Sequence, residues 1–265
     1  MHHSPPTPPL VIGHRGAAGS APENTLGSLA TAARLGVRVV EFDVRLTRCG
    51  TLVLFHDDTL ERTSDGAGRF DDLDLARILR LDAGRWFSPP FVGEAPPTLD
   101  QALASLALLD LRAIVEMKTS PEAAEATARR VAETLCRAPD GLIGMVSSKE
   151  PLALGALALR LGPVPRAYVL PEPIPEQFDQ AAELGCAAVH LGADALTPDL
   201  IARARQRVVS VGAFTINDRE HAATLAGWGV DTLFSDHPER LPRAWLGGDD
   251  LPRHPRARTD APPAA

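Results

Sequence analysis

Residues whose types could do chemistry stand at the ends of short apolar runs in this chain. His14 and Arg15 close the run Leu10–Gly13. Glu41 and Asp43, near the end of Val37–Val44, are two apart and so face the same side of an extended segment. His56 ends the run Leu52–Phe55, and Glu116 and Lys118, again two apart, end Leu111–Met117. Three carboxylates inside apolar strands cost several kcal/mol each to bury unpaired, unless they protonate or meet a cation. Donors that are all oxygen favour one Mg²⁺ or Ca²⁺, with Mn²⁺ also compatible, over Zn²⁺. The competing use of the same carboxylates is a local salt-bridge network with Arg15 and Lys118. Two imidazoles titrating near neutrality can divide the work of general base and general acid, the alternative for each being a hydrogen-bonded structural histidine. Arg15 and Lys118 supply positive charge for an oxygen-rich anion such as phosphate. A metal, two imidazoles and two cations together describe phosphoryl transfer. Acyl transfer would call for a nucleophile elbow, which this sequence lacks.

These residues need a scaffold that brings strand ends together. Eight apolar runs qualify as strands: Leu10–Gly13, Val37–Val44, Leu111–Met117, Leu142–Val146, Arg166–Leu170, Ala187–Leu191, Val208–Phe214 and Thr232–Phe234. Most are short and apolar throughout, which suits a parallel sheet covered by helices. Helix starts are marked between them by Thr98 with Gln101, by Ser120-Pro121-Glu122, by Thr197-Pro198-Asp199 and by Asn217 with Glu220. The repeating strand, loop and helix predict an α/β chain, a (β/α)8 TIM barrel whose site lies at the C-terminal rim of the strands. Thr47-Arg48-Cys49-Gly50 is too short for a parallel crossover, so Leu52–Phe55 must return as a hairpin. Thr47–Pro97 is then an insertion that caps the top of the barrel and delivers His56 to it.

Length and composition agree with this architecture. The 265 residues suit one barrel domain over residues 1–246, with the Gly, Pro and Arg-bearing segment 247–265 expected to be a disordered tail. A formal charge of −7, with no basic block, argues against nucleic acid as a partner. Cys49, Cys136 and Cys186 are odd in number and far apart, which reads as free, mostly buried thiols in a reducing compartment. No signal peptide and no long apolar span is visible, so the expectation is a cytoplasmic protein without stable membrane insertion, monomer or homodimer.

The ordered motifs carry a family resemblance. They are Gly13-His14-Arg15-Gly16, Pro22-Glu23-Asn24-Thr25, Glu41-Phe42-Asp43-Val44, and Phe55-His56-Asp57 running on to Thr59-Leu60 and Arg62-Thr63. Leu81-Asp82-Ala83-Gly84 with Trp86-Phe87, Gly93-Glu94, Pro97-Thr98-Leu99, Glu116-Met117-Lys118, Gly229-Val230-Asp231 and Asp236-His237-Pro238 follow. From Val11 to Pro238 the chain resembles the bacterial glycerophosphodiester phosphodiesterases. The resemblance implies that His14 and His56 are acid and base, that Glu41, Asp43 and Glu116 hold the metal, and that Arg15 and Lys118 contact phosphate. It implies a small-molecule glycerophosphodiester substrate, sn-glycerol 3-phosphate and a free alcohol as products, and an insertion that helps shape the glycerol side. Phe214-Thr215-Ile216-Asn217 replaces the family's Trp-Thr-Val-Asn, leaving Phe214 as an apolar platform for glycerol without an indole N–H. Ser147-Ser148 followed by Lys149 replaces a Ser-Phe pair, losing an aromatic wall and adding a charge.

Other residues carry lesser expectations. Asn24 and Thr25 are read as pinning the loop after His14 and capping the first helix, Asp57 and Asp58 as holding the loop behind His56. Asp231 and Asp236 are read as bracing the closing strand, His221 and His237 as solvent or cap residues. His190 could face the pocket or serve the structure. The alternative function is a related metal-dependent phosphodiesterase acting on a lipid or phosphoinositide headgroup. It would show an apolar rim, for which Phe87–Val92 is the only candidate, and that stretch is expected to pack the insertion instead. A non-enzymatic barrel would show a disrupted set of the seven residues, and all seven are present.

Overall fold

The computed structural model describes residues 8–248 and residue 251. Nine strands form: β1 (Leu10–Gly13), β2 (Val39–Leu46), β3 (Leu52–Leu54), β4 (Arg112–Met117) and β5 (Ile143–Ser148), then β6 (Arg166–Leu170), β7 (Ala188–Gly192), β8 (Ser210–Phe214) and β9 (Thr232–Ser235). The helices are α1 (Leu26–Leu35), α2 (Leu75–Ile78), α3 (Leu99–Leu109), α4 (Ala124–Leu135), α5 (Pro151–Ala158), α6 (Glu176–Glu183), α7 (Pro198–Arg205) and α8 (Arg219–Gly227). Eight strands pair in parallel in the order β1-β9-β8-β7-β6-β5-β4-β2, and β1 with β2 closes the ring through Gly13 opposite Val40. This is the expected (β/α)8 barrel. After β9 the described chain turns through the 3-10 segments Pro238–Arg240 and Arg243–Trp245.

Alternation along the strands separates two layers, because successive side chains leave a strand on opposite faces. Outward residues such as Val11, Phe42, Val115, Val189 and Leu233 join the helices in one continuous apolar layer. Inward residues Ile12, Val39, Ile114, Met145, Ala167, Ala188 and Phe234 fill the lower barrel. Burying each large one contributes about 1.5–3 kcal/mol. One step up the same strands, the inward positions become His14, Glu41, Glu116, Ser147 and His190. The polar layer therefore rests on a closed apolar plug. Of the expected tail, only Gly247, Gly248 and Leu251 are described, and Leu251 is buried in this plug.

The returning hairpin is present: β3 pairs antiparallel with the end of β2, Val44 facing Leu54 and Leu46 facing Leu52. The insertion has its own small core of Val53, Phe55, Leu60, Phe70, Ile78 and Leu81, with Phe55 and Phe70 stacked at 5.1 Å. Phe87 packs edge-on against both Trp86 and Phe91, each at 5.6 Å. No helix of the described residues is long and apolar enough to cross a membrane.

Local start signals are partly as read. Thr25 caps α1, Thr98 and Gln101 form a reciprocal capping box on α3, and Thr197 caps α7 ahead of Pro198. Two differ. α4 starts at Ala124 after a turn and has no side-chain cap, and α8 is capped by Asp218 rather than Asn217. Asn217 is drawn away because its side chain binds the end of β9 instead. The thiols also differ from expectation, since Cys49 and Cys136 are exposed and only Cys186 is buried.

Candidate active site

The site begins in the turn after β1. A Cβ on Gly13 would lie 2.1 Å from the Gly16 carbonyl oxygen, so only glycine permits this turn. Arg15 (φ 49°) and Gly16 (φ 87°) both take the left-handed conformation. That reversal aims the Arg15 N–H at Glu41 Oε2 (3.0 Å) and the Gly16 N–H at the Glu41 carbonyl (3.1 Å). His14 follows the inward side of β1. Its Nδ1 meets Asp236 Oδ1 at 2.7 Å, and its Nε2 lies 3.9 Å from Glu41 Oε2. Asp236 stands just past β9, the parallel neighbour of β1, and its other oxygen accepts from Asn217 Nδ2 at 3.1 Å. Asn217 Oδ1 in turn accepts from the Asp236 and His237 N–H groups (2.9 and 3.2 Å) and from the Ser235 hydroxyl (3.1 Å).

β2 and β4 supply the carboxylates. Asp43 and Glu116 sit side by side in the register, and one oxygen each from Glu41, Asp43 and Glu116 all lie within 4.8 Å of one another. All three are buried. Asp43 is the best supported: Asn24 grips it twice, Nδ2 donating to Oδ2 (2.8 Å) and Oδ1 accepting from the Asp43 N–H (3.0 Å). Arg15 Nε and Lys118 Nζ each lie 3.3 Å from its carboxylate. Burial alone would raise the Asp43 carboxyl, yet Lys118 and Arg15 hold it well below the usual range. Lys118 also pairs with Glu116, and these partners raise its ammonium above the ordinary value against the pull of burial. Glu41 goes the other way. Burial first, then the neighbouring charges of Asp43 and Glu116, push it well above the carboxylate range. Its Oε1 is buried with no hydrogen-bond partner among the described residues. An unpaired lone pair facing two other carboxylates fits a bound divalent cation, which would remove the repulsion that Arg15 and Lys118 offset only in part.

The insertion brings the second imidazole. The Phe55 N–H binds the Asp43 carbonyl (3.2 Å) and Arg45 Nε donates to the His56 carbonyl (3.1 Å), so the loop after β3 is tied to β2 on both sides of the histidine. His56 Nδ1 meets Asp57 Oδ1 at 2.6 Å. Arg62 grips Asp57 and also donates to both oxygens of Glu23 (2.7 and 2.8 Å). Glu23 accepts from Arg15 Nη1 at 2.6 Å, completing a charged chain from His56 to Arg15. Burial would raise Asp57, but hydrogen bonds from Arg62 and His56 bring it down to about 2. His56 itself is lowered, chiefly by burial, with Lys118 and Arg15 adding to the effect and Asp43 opposing it.

His14, Arg15, Glu41, His56, Glu116 and Lys118 line one cavity of about 380 Å³, and Asp43 adjoins it with an oxygen within 4.8 Å of those of Glu41 and Glu116. Its far wall is Val169, Pro171, His190 and Phe214, so both imidazoles, both cations, Phe214 and two of the three carboxylates expected to form the site share one space. His190 is 4% exposed, with its ring 4.6 Å from that of Phe234, and burial pushes it down to about 3. It is therefore a neutral imidazole in the wall. Asp231 accepts from the Val211 N–H (2.8 Å) and so braces β8 against β9 as expected, and Asp58 pairs with Arg45. His237 pairs with Glu239 outside the cavity, while the His221 N–H is bound by Asp218.

Sequence reasoning missed what stands behind each imidazole. Asp236 was expected to brace a strand and Asp57 to hold a loop, whereas each accepts from a histidine Nδ1. Glu23, Arg62 and Asn217 had no expected part in the site. Their signal was membership of the matched motifs, which named the positions without a role. Asp57 had one further clue, its place immediately after His56.

The chain is similar to known proteins over most of its length. The model of the glycerophosphoryl diester phosphodiesterase family matches residues 14–240. A glycerophosphodiester phosphodiesterase of Bacillus subtilis is 30% identical over 251 residues, covering 87% of this chain and 84% of its own. One from Caldanaerobacter subterraneus subsp. tengcongensis is 28% identical over 237 residues, covering 88% and 96%. Among solved structures, an Oleispira antarctica phosphodiesterase in complex with the product sn-glycerol-3-phosphate superposes with a TM-score of 0.83 at 34% identity, over 88% of this chain and 94% of that one. The Agrobacterium tumefaciens glycerophosphodiester phosphodiesterase gives 0.72 at 25% identity, over 88% and 98%. The chain thus belongs to the glycerophosphoryl diester phosphodiesterase family of phosphoric diester hydrolases.

Proposed function

We propose that this enzyme hydrolyses glycerophosphodiesters to sn-glycerol 3-phosphate and an alcohol, with His14 and His56 dividing general base and general acid. What carries the reading is that two carboxylate-backed imidazoles line the same cavity of about 380 Å³ as Glu41 and Glu116, two members of a three-carboxylate cluster. In each histidine the Nδ1 is engaged by a carboxylate, which fixes Nδ1–H and leaves Nε2 as the working atom. One Nε2 takes the proton of the attacking oxygen, from water or from the substrate's own glycerol hydroxyl. The other gives a proton to the departing alkoxide, which is too basic to leave unaided. Asp57 and Asp236 stabilise whichever imidazolium forms beside them. Arg15 and Lys118 hold the nonbridging oxygens of the phosphodiester, and Phe214 gives the glycerol carbons an apolar face. Glu41, Asp43 and Glu116 would hold the divalent cation, Mg²⁺ or Ca²⁺, which when bound supplies neutralising charge to the phosphate.

The test is release of glycerol 3-phosphate from glycerophosphocholine by the parent, His14→Ala and His56→Ala, with added Mg²⁺ or Ca²⁺ and with EDTA. Each alanine variant should lose about 10²–10⁴ in kcat, and chelation should abolish turnover. A variant working at the parent rate would end the histidine assignment, and EDTA-resistant turnover would end the metal assignment.

A further inference from the structure

We infer that the polar cavity beside His56 receives the departing alcohol, and that Lys149 makes it selective for alcohols carrying a further phosphate group. This rests on the hydrolytic reading above. A second cavity of about 620 Å³ adjoins the first, and the two share His56, Lys118 and Lys149. A phosphodiester bound at Arg15 and Lys118 has two arms. The first cavity, walled by Phe214, Val169 and Pro171, suits the constant glycerol arm, which leaves the second for the variable one.

Charge pairing in the second cavity decides what that arm can be. Each of its four carboxylates already has a partner. Asp57 holds His56 and Arg62, and Asp58 holds Arg45. Asp71 lies between Arg45 and Arg69, 3.4 Å from each, and Glu150 caps the Leu152 N–H at 3.0 Å. Lys149 is exposed at the junction of the two cavities and forms no ion pair among the described residues. Among the described residues the one ion pair of Arg69 is the long contact to Asp71. The cations are thus the less committed groups, Glu150 being the one carboxylate whose partner is an N–H rather than a charge. A trimethylammonium headgroup would meet the charge of Lys149, the three Asp carboxylates there are already ion-paired, and no Phe, Tyr or Trp lines the cavity to receive it. A phosphate would give Lys149 a close ion pair, where it now acts on Asp58 only at a distance, and would draw Arg69 from a weak pair. The residue following the Ser147-Ser148 pair, which breaks the family pattern, would then set the headgroup preference.

The experiment compares kcat/KM for glycerophosphoinositol, glycerophosphoinositol 4-phosphate and glycerophosphocholine, each followed by glycerol 3-phosphate release with Mg²⁺. The parent should prefer the 4-phosphate over unphosphorylated glycerophosphoinositol by about fivefold or more, the scale of one partly exposed ion pair. Lys149→Glu should lower that ratio by more than about tenfold, Lys149→Arg should keep it, and salt near 0.5 M should shrink it. A parent ratio near one, or a Lys149→Glu variant that slows all three substrates equally, overturns the inference while leaving the hydrolytic reading standing. No release from any of the three overturns both.

Discussion

Asp236→Asn is the sharpest single perturbation of this site, because the partner behind Asp236 dictates which way the new amide turns. Asn217 Oδ1 accepts three donors, the Asp236 and His237 N–H groups and the Ser235 hydroxyl, so Asn217 Nδ2 must point at the side chain of Asp236. That amine needs an acceptor, which it now finds in Asp236 Oδ2 at 3.1 Å. In the variant the amide oxygen must face Asn217, leaving the amide NH₂ against His14 Nδ1, 2.7 Å away from the present oxygen. Two donors cannot meet there, so His14 is forced to carry its proton on Nε2, which removes a base, and the same clash disfavours the imidazolium that an acid would need. Loss of the charge-assisted hydrogen bond contributes about 1.5–3 kcal/mol, roughly 10–150-fold, and the wrong tautomer brings the expected loss in kcat to about 10²–10⁴. The assay is glycerol 3-phosphate release at saturating substrate, with ¹⁵N–¹H correlation spectra to read the His14 tautomer directly. The double variant Asp236→Asn, Asn217→Asp tests the cause. Its new carboxylate, in place of the Asn217 amide, would accept from both sides and take the NH₂ of the new amide. The amide oxygen would then turn back to His14, recovering about tenfold over the single variant, the scale of one restored hydrogen bond. Parent-like kcat in the single variant, or no recovery in the double, would refute the reasoning.

Asn24 predicts a separate effect on the metal. Its side chain grips Asp43 twice at a φ of 57°, so Asn24→Gly removes the grip without straining the backbone. Isothermal titration should show Mg²⁺ or Ca²⁺ affinity falling by about 10–100-fold, and an unchanged affinity would remove Asn24 from the metal's support. His190 predicts an acid instability. Its folded value, pushed down to about 3 by burial, lies below an unfolded value of about 6.5. The unfolded chain therefore binds the proton first, and the stability is complete above about pH 6.5 and lost as pH falls toward 3. Between pH 6.5 and 4.5 that loss is on the order of 2–3 kcal/mol. His190→Leu should therefore lose roughly 5–10 °C less Tm than the parent between pH 7 and 4.5. An equal Tm loss in both proteins would show that His190 protonates without penalty.

The sequence by itself determined the elements of this protein and the residue types that stand at its candidate site. Strand runs such as Leu10–Gly13 and Arg166–Leu170 are bounded as expected, because length and apolar character are local properties. The hairpin at Thr47-Arg48-Cys49-Gly50 was equally local, since chain length forbids any other connection, and it explains how His56 reaches the rim. Residues two apart on one strand had to share a face, which made Glu41 with Asp43 and Glu116 with Lys118 visible. What only the tertiary structure decided are contacts made by closing the ring. Asp236 reaches His14 across 222 positions because β9 hydrogen-bonds to β1, and no local pattern carries that pairing. The same closure turned Asn217 from an expected helix cap into the clamp on Asp236, and put Leu251 into the floor of the barrel. Glu23 joins Arg15 to Arg62 only because the insertion folds back over the turn after β1. The sequence supplied the imidazoles, carboxylates and cations, and the closed barrel supplied the partners that hold and orient them.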